Sequence, residues 1–401
     1  MRIGVIVDNE FNHDARVRNE CKILSQAGHQ VTVLCFNFGK YQPFKKIDNI
    51  TVYRISIKQK IRNILFAFNN SIELYNLFWS TNIKKFIQKY NIQALHVHDL
   101  YMAKAAHYAT KNTTINFTLD LHENYPAAVK GYQWMYQLPF TYLIRPKKWE
   151  RLEKKYLHYP DNIVVLSESF RDDLQLKYPF LKEKAFVVYP NVPDLEAFKN
   201  YQIDQTIFPK NDDFILFYFG VISQRRGIFT VIEALKKIIK DIPSVKLLLI
   251  GPADKAEKEK FLKTINHTNL KKHITWYPWK DISLLPSYIH CSDVCLSPIV
   301  KNDQHESGVA NKVFQYMLFE RPLVVSDCKP QAKIITEEQC GLVFKSGDTE
   351  DLAQKVITLY QNKEMRIKMG ENGKKAVEMK YNTQNFGKNL VNLYNDEVKR
   401  Y

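Results

Sequence analysis

The sequence lacks any apolar run long enough to cross a membrane, and it lacks the pattern of a secretory leader. A spanning helix needs about 20 consecutive apolar residues, and the longest apolar stretches are interrupted by Asn69, Asn70 and Glu73 or by Pro139. The first residues lead directly into a short apolar strand that ends at Asp8, without a small-residue cleavage site. We therefore expect a cytoplasmic protein.

Glycine, proline and cysteine are all scarce. The 13 glycines and 16 prolines are too few for a low-complexity linker or a fibrous repeat, and no internal repeat is present. Among the six cysteines, Cys291 and Cys295 lie four apart, but no second pair or nearby histidine cluster completes a zinc site. We expect buried free thiols and no metal centre at these cysteines.

Acidic residues are few in the first part of the chain. The net charge is +16, and the segment from Lys40 to Lys155 alone contains 19 Lys and Arg against 7 Asp and Glu. Such an excess fits nucleic acid, an anionic membrane or an acidic substrate. No recognition helix, zinc motif or RNA-binding signature accompanies it, so we expect no nucleic-acid partner.

Two basic segments, 58–86 and 131–159, also carry many apolar and aromatic residues. This combination is typical of a surface that binds anionic lipid headgroups, and it predicts peripheral association with the cytoplasmic membrane. The alternative is that the apolar residues pack inside the first domain while the charges form a solvated face.

Strand and helix patterns alternate along the chain. The apolar run 3–7, a helix pattern over 15–27 and the strand 31–36 form one βαβ unit. Further strands are predicted at 94–98, 115–122, 162–167 and 185–190. A polar stretch at 191–211 resembles a linker. A second series follows at 213–220, 245–251, 273–278, 294–299, 322–327 and 341–344.

Two successive βα series predict an α/β protein with two doubly wound, Rossmann-like domains that face each other across a cleft. We place the first domain at residues 1–200 and the second at 201–380. We expect the helix over 381–401 to pack back on the first domain. Ligands bind such sheets at the carboxyl ends of the strands, so functional residues should directly follow strands.

The first candidate site follows the strand that ends at Gly220. The loop carries Ser223, Arg225, Arg226 and Gly227, and a helix begins immediately afterwards. Guanidinium groups and the free amides of a helix start bind phosphate well. The alternative is a solvated basic loop with a turn glycine.

The second candidate site follows the strand that ends at Pro298. A polar loop runs from Lys301 to Ser307, and a helix starts near 308–311. Its amides offer a second phosphate-binding helix start. The candidate residues here are Pro298, His305, Glu306, Ser307, Gly308, Asn311, Lys312 and Gln315.

These segments resemble the retaining GT-B glycosyltransferases of family 4, also called group 1. NKVFQYMLFERPLVVSD at 311–327 is similar to the family's donor-binding segment, and the loop at 220–227 is similar to its Gly-Arg-x-x-x-x-Lys-Gly signature. HDARVRNECKILSQAGHQVTVL at 13–34, HVHDL at 96–100 and LDLHENYP at 119–126 fall at the family's expected places in the first domain. The similarity therefore extends over nearly the whole chain.

The chain departs from the family pattern at functional positions. Val221 stands where the pattern has a phosphate-binding arginine, and Arg226 stands where it has lysine. The family pattern also has two glutamates separated by seven residues, and Gln315 stands at the second of them. The amide oxygen of Gln315 can still accept a hydrogen bond from a ribose hydroxyl. Ser307 lies eight residues earlier, beside Glu306, so Glu306 or His305 would have to take the first glutamate's role near the sugar.

The resemblance implies a glycosyltransferase that uses a nucleotide-sugar donor, retains anomeric configuration and needs no metal or other cofactor. The absence of an Asp-x-Asp motif with adjoining ligands also predicts metal independence. A saccharide or lipid-linked acceptor, in bacterial surface polysaccharide synthesis, is the corresponding expectation. The predicted catalytic residues are His122, Arg225, Arg226 and Glu306, and His98, Asp99 and Glu123 are weaker acceptor-side candidates.

Two other functions stay open. The substitutions at 221, 307 and 315 would also fit a partner subunit that kept the fold and lost the chemistry, because fold does not ensure function. A sugar-nucleotide epimerase of the same architecture is the third possibility. It would need acidic and histidine residues placed for water addition at the anomeric carbon.

Overall fold

A computed structural model describes residues 1–69, 72–131, 146–209, 211–267 and 269–398. Contacts divide the chain into two units: unit 1 contains Met1–Asn191 together with Thr383–Tyr401, and unit 2 contains Val192–Asn382. Within the described ranges, every helix is too short or too polar to cross a bilayer. Each unit is built on its own sheet, as the two βα series predict.

Unit 1 contains an eight-stranded sheet in the order β3-β4-β2-β1-β5-β6-β7-β8. All neighbouring strands pair in parallel except β3 and β4, which form an antiparallel edge. The strands are β1 (Arg2–Ile6), β2 (Gln30–Asn37), β3 (Phe44–Ile47), β4 (Ile50–Ser56), β5 (Ala94–His98), β6 (Asn116–Asp120), β7 (Asn162–Val165) and β8 (Ala185–Val188).

Helices cover both faces of this sheet, because its inner strands are apolar on both sides. The helices of unit 1 are α1 (Ala15–Gln26), α2 (Gln59–Ala67), α3 (Leu74–Tyr90), α4 (Ala103–Thr110), α5 (Tyr125–Gly131), α6 (Pro146–Tyr156), α7 (Glu168–Lys177) and α15 (Thr383–Val398). Val33 joins the core under α1 and α15, whereas Leu34 joins the core that contains Trp79 of α3.

Unit 2 contains a six-stranded, fully parallel sheet in the order β11-β10-β9-β12-β13-β14. Its strands are β9 (Phe214–Phe219), β10 (Val245–Ile250), β11 (Ile274–Tyr277), β12 (Val294–Ser297), β13 (Leu323–Ser326) and β14 (Gly341–Phe344). Its helices are α8 (Ile228–Asp241), α9 (Lys258–Ile265), α10 (Leu285–Cys291), α11 (Asn311–Leu318), α12 (Lys329–Glu337), α13 (Thr349–Gln361) and α14 (Lys363–Met379).

The structural division differs from the expected domain bounds by a few residues. It falls after Asn191 rather than after residue 200, and the returning segment begins at Thr383 rather than at 381. Helix α15 packs on α1, where Gly387 lies so close to Ile23 that an added Cβ would approach Ile23 Cγ2 to 2.7 Å. Residues 399–401 of the expected helix lie outside the described residues.

The sequence patterns did not predict β3 and β4. Strand β3 is exposed and contains two lysines, and β4 alternates buried and half-buried residues without a long apolar run. An edge hairpin needs only one buried face, so its pattern was weaker than that of the central strands. All six cysteines are free and buried, as predicted.

Candidate active site

The candidate donor site lies at the centre of the unit 2 sheet. Strand β9 has β10 on one side and β12 on the other, so the chain connections run in opposite directions from this point. Loops that follow such a pair of strands leave a crevice at the carboxyl edge of the sheet. The loops after β9 and after β12 are the two loops that the sequence predicts to bind the donor.

Glycine allows these two loops to touch. Gly227 has φ +75, and a Cβ added there would lie 1.7 Å from the carbonyl oxygen of Pro298. The backbone N–H of Val300 donates to the Arg225 carbonyl oxygen at 3.0 Å. This contact places Arg225 and Arg226 beside the loop after β12, directly before the start of α8.

Arg225, Arg226 and Lys312 form a basic cluster with His305. An Arg225 guanidinium N–H donates to Gln304 Oε1 at 3.3 Å. Burial, together with the charges of Arg226, Arg225 and Lys312, lowers the pKa of His305 to about 4, although a hydrogen bond to the Val300 backbone opposes this shift. The ring is therefore neutral at pH 7. Because its Nδ1 lies 2.6 Å from the Val300 carbonyl oxygen, Nδ1 carries the proton and Nε2 is the acceptor.

The remaining donor-side candidates occupy distinct positions. The Glu306 carboxylate accepts from the Lys329 backbone N–H at 3.3 Å, at the start of α12. Ser307 Oγ donates to the Gln304 carbonyl at 2.6 Å. Gly308 precedes α11, and Asn311 is the first residue of that helix. The catalytic role of Glu306 stays a prediction.

Gln315 lies in the second turn of α11 and borders a pocket of about 280 Å³. The rest of the pocket wall is almost entirely apolar: Phe198, Ile282, Ser283, Leu285, Pro286, Ile289 and Phe319. A pocket with apolar walls and one or two polar groups is typical of small-molecule sites.

In unit 1, His122 follows β6 and lies between two carboxylates. Its Nε2 is 3.1 Å from Asp120 Oδ2, and its Nδ1 is 3.8 Å from Asp99 Oδ1. His98 Nδ1 lies 2.9 Å from His122 Nε2 and 3.1 Å from Asp120 Oδ2. His98 is fully buried, whereas the side chains of His122 and Asp99 are 20% and 19% exposed. The structure thus brings three of the first-domain candidates together.

The two acidic neighbours shift the titration of His122. Burial alone would lower its pKa, but Asp99 and Asp120 overcome this and raise it to about 10. Burial raises the pKa of Asp99 to about 7, although the charge of His122 opposes this shift. His122 is therefore an imidazolium at neutral pH and donates hydrogen bonds. Asp99 also has φ +73, a conformation that costs energy in a non-glycine residue and recurs at functional sites.

The carboxylates around His122 belong to a larger buried network. Arg16 of α1 donates two hydrogen bonds to Asp120, at 2.7 and 2.8 Å, and pairs with Glu20 at 3.1 Å. Among the described residues, Glu20, His96, His98 and Asp120 also place potential metal-ligating atoms within 4.8 Å of one another. The Arg16 guanidinium and the His122 imidazolium together balance the two carboxylates of this group, so a dication would add uncompensated charge.

Sequence reasoning missed Asp120, Arg16 and the environment of Asp8. Tyr75, Tyr101 and Arg62 each donate to the Asp8 carboxylate, at 2.7, 2.8 and 2.6 Å. Asp8 and Asp120 both close apolar strands at the carboxyl edge of the sheet, and that position alone could have identified them. The partners could not be identified in this way, because they come from distant segments.

Family models match both halves of the chain. Residues 15–194 match the model described as Glycosyltransferase Family 4, and residues 200–376 match the model described as Glycosyl transferases group 1. Together the matches extend over both candidate sites.

Curated relatives have glycosyltransferase names at low identity. The chain is 24% identical over 254 residues to the capsular polysaccharide biosynthesis glycosyltransferase CapM of Staphylococcus aureus, covering 62% of this chain and 65% of that protein. It is 20% identical over 367 residues to the uncharacterized glycosyltransferase MJ1069 of Methanocaldococcus jannaschii, covering 88% and 86%. The first curated relatives are matched over less than two thirds of their length, at 65%, 42% and 60%.

Solved structures share the fold across the full length. Sucrose-phosphate synthase from Thermosynechococcus elongatus superposes with a TM-score of 0.77 at 16% identity, covering 100% of both chains. HepE from Anabaena, solved in complex with UDP, has a TM-score of 0.72 at 12% identity, covering 99% of this chain and 100% of that one. With a doubly wound sheet in each unit and a family model matched to each half, the chain belongs to the family 4, group 1 glycosyltransferases of the GT-B fold.

Proposed function

We propose that this protein transfers a sugar from a nucleotide-diphosphate-sugar donor to a saccharide or lipid-linked saccharide, with retention of anomeric configuration and without a metal ion. The observation that best supports this proposal is the convergence of Arg225, Arg226 and Lys312 where the loops after β9 and β12 meet. A relative named for capsular polysaccharide biosynthesis supports an acceptor of the surface-polysaccharide type.

In the proposed reaction, the bond between the anomeric carbon and the β-phosphate oxygen breaks. Positive charge develops on the sugar and negative charge on the departing diphosphate. Arg225 and Arg226 supply fixed positive charge for the diphosphate, and guanidinium groups can bind phosphate oxygens in a bidentate manner. The acceptor hydroxyl then bonds to the anomeric carbon on the face that the diphosphate left, and its proton goes to a leaving-group oxygen.

Gln315 and its apolar pocket fit the nucleoside part of the donor. The Gln315 amide oxygen accepts a ribose hydroxyl hydrogen bond. The neighbouring apolar walls bury a planar base, as in most small-molecule sites. The Nε2 atom of His305 is buried and has no hydrogen-bond partner among the described residues, so it is available to accept from a sugar hydroxyl.

We assign His122 a role near the transferred sugar, because it stands where the family resemblance implies a histidine close to that sugar. As an imidazolium held by Asp120, it donates a hydrogen bond rather than abstracting a proton. Asp99, with its pKa near neutrality, can hydrogen-bond and orient an acceptor hydroxyl whose proton goes to the leaving-group oxygen.

A panel of nucleotide sugars tests the proposal. Purified protein is incubated with UDP-, GDP- and ADP-sugars, and release of the nucleoside diphosphate is measured with and without saccharide acceptors. We expect slow hydrolysis of one donor and faster release with an acceptor. Donor binding without turnover would favour the inactive partner subunit, and a free epimerised sugar nucleotide would favour the epimerase.

We further propose that unit 1 binds anionic membranes through the exposed surface of α2 and the start of α3. Ile61, Ile64, Ile72 and Leu74 are each about half exposed, at 48 to 55%, and Lys58 and Lys60 lie beside them in an exposed stretch. Tyr75 and Trp79, two aromatic residues of the same segment 58–86, are instead buried in the core. Of the second basic segment, residues 132–145 lie outside the described residues.

Liposome flotation tests this surface. Each basic residue near an anionic surface contributes about 1 kcal/mol and is screened by salt. We expect recovery with anionic vesicles that falls as salt rises, and a loss of recovery in the double variant Ile61→Ser/Ile64→Ser. A matched control is Leu176→Ser, which removes an 82% exposed leucine elsewhere in unit 1. Equal recovery with neutral and anionic vesicles, or none with either, would contradict membrane binding.

A further inference from the structure

Lys312, in the first turn of α11, is a buried basic side chain that pairs with no carboxylate of the described ranges. Its residue is 9% exposed, and its Nζ lies 3.8 Å from the centroid of the Tyr218 ring. Among the described residues, no carboxylate lies within ion-pair distance of this ammonium. Burial lowers its pKa well below the usual value, and the charge of Arg226 lowers it further. A buried ammonium is costly unless an anion balances its charge.

The Lys312 ammonium reaches the turn at which the family pattern has an arginine. A Cβ added at Gly220 would lie 3.1 Å from Lys312 Nζ. The next residue is Val221, whose carbonyl oxygen accepts from Tyr218 Oη at 2.9 Å. Tyr218 therefore contacts both the lysine and the residue at which the arginine is missing.

Two other buried polar groups of the same loops have no partner within the described structure. Ser223 Oγ, in the loop after β9, is in a residue that is 2% exposed. His305 Nε2, in the loop after β12, is in a residue that is 5% exposed. Buried polar atoms are normally satisfied, so their occurrence beside three cations is evidence for an anionic, hydroxyl-bearing ligand.

We propose that Lys312 supplies, from helix α11, the diphosphate-binding cation that the family pattern places at position 221 and that Val221 lacks. This inference rests on the proposed function, because it assumes a nucleoside diphosphate in this site. A lysine ammonium can donate three hydrogen bonds as a compact charge. The substitution at 221 therefore moves the cation from the loop to the facing helix without removing it from the site.

Nucleotide binding to Lys312→Met, Val221→Arg and the double variant tests the inference. Calorimetry with UDP, GDP and ADP, each beside its free nucleoside, separates the diphosphate contact from contacts to the base and ribose. We expect Lys312→Met to weaken diphosphate binding by about 10- to 100-fold, with nucleoside binding unchanged. Val221→Arg should restore most of this loss in the Lys312→Met background and change wild-type binding little.

Lys301→Met is the matched control. Lys301 lies in the loop after β12, is exposed and pairs with Asp327 at 3.2 Å. Its loss should change diphosphate binding less than about twofold, because an exposed ion pair contributes little. If Lys312→Met does not fold, Lys312→Gln tests the same loss of charge.

Proton uptake provides a readout that a purely structural lysine would not change. Burial holds the pKa of Lys312 below its usual value and a bound diphosphate raises it, so proton uptake on binding should appear as the assay pH rises through the pKa of the free protein. Calorimetry in buffers of different ionisation enthalpy should show fewer protons taken up by Lys312→Met. Unchanged diphosphate affinity in Lys312→Met, with normal wild-type binding, would overturn this inference alone. Absence of nucleoside diphosphate binding in the wild type would overturn the proposed function as well.

Discussion

Substitution of Gly227 by alanine tests whether the contact between the loops after β9 and β12 builds the donor site. The new Cβ would lie 1.7 Å from the Pro298 carbonyl oxygen, whereas real Cβ atoms essentially never approach closer than 3.0 Å. One loop must therefore move by about 1.3 Å. The backbone hydrogen bond from Val300 to Arg225 joins the same two loops, so this movement would strain it.

The expected loss of stability follows from two contributions. A non-glycine residue in the left-handed region costs roughly 1–2 kcal/mol, and loss of one backbone hydrogen bond costs about 1 kcal/mol more. The free energy of unfolding should therefore fall by roughly 2–3 kcal/mol. In a domain of this size about 3 kcal/mol corresponds to a decrease in Tm of roughly 6–12 °C.

Gly347→Ala is the matched control in the same unit. Gly347 has φ +82, close to the φ of Gly227, but an added Cβ would have no neighbour within 4 Å. We expect it to lose only the roughly 1–2 kcal/mol of the backbone conformation and to keep nucleotide affinity. Gly227→Ala should also lose transfer activity by about 100-fold, because Arg225 and Arg226 are displaced. Equal stability and activity of the two variants, measured by thermal unfolding and diphosphate release, would refute the reasoning.

Four further outcomes are expected. Arg226→Ala should lower the transfer rate by about 10²–10³-fold, because it removes a fixed positive charge that stabilises the departing diphosphate. Arg225→Ala should also lower the rate, whereas the surface variant Arg171→Ala should not. Wild-type rates in both loop variants would show that the loop is only a turn. Gln315→Ala should raise the donor KM, whereas Gln315→Glu should be tolerated; abolished donor binding by the glutamate variant would contradict the ribose contact. Activity should survive excess EDTA, and full loss that magnesium or manganese restores would contradict the metal-free reaction. Urea unfolding should show that wild type is more stable than His122→Gln below pH 6.5. This difference in the free energy of unfolding should disappear as the pH rises through about 10, because the pKa of His122 is raised in the folded state. A difference that persists unchanged at pH 10.5 would contradict the imidazolium assignment.

Most of the central strands could be predicted from the sequence, because burial on both faces leaves continuous apolar runs. Strand β5 was predicted over 94–98 and β14 over 341–344, the same bounds that the structure has. The loops after β9 and β12 could also be predicted, since each carries charged or polar residues directly after such a run. Their contact depends on Gly227 and Pro298, which are far apart in sequence.

The electrostatic state of the candidate residues could not be predicted in the same way. His122 was identifiable from its place after a strand, but its raised pKa depends on Asp99 and on Asp120, which only the fold brings beside it. Within the described part of the chain no carboxylate pairs with Lys312, and this too depends on the segments that pack around α11. Such properties belong to tertiary neighbours and leave no local pattern.

Helix α15 has a consequence for the order in which the protein can fold during synthesis. A ribosome releases the whole of unit 2 before it releases this helix, because Thr383–Val398 follow Asn382 in the chain. Tyr394 hydrogen-bonds His96 at 2.8 Å, and Glu397 accepts from Asn162 at 2.8 Å. His96 and Asn162 therefore lack these hydrogen-bond partners in the nascent chain until the whole of unit 2 has been translated. Domains usually fold in order from the N-terminus. Here unit 2 can complete its fold first, and unit 1 stays accessible to chaperones until α15 has been synthesised.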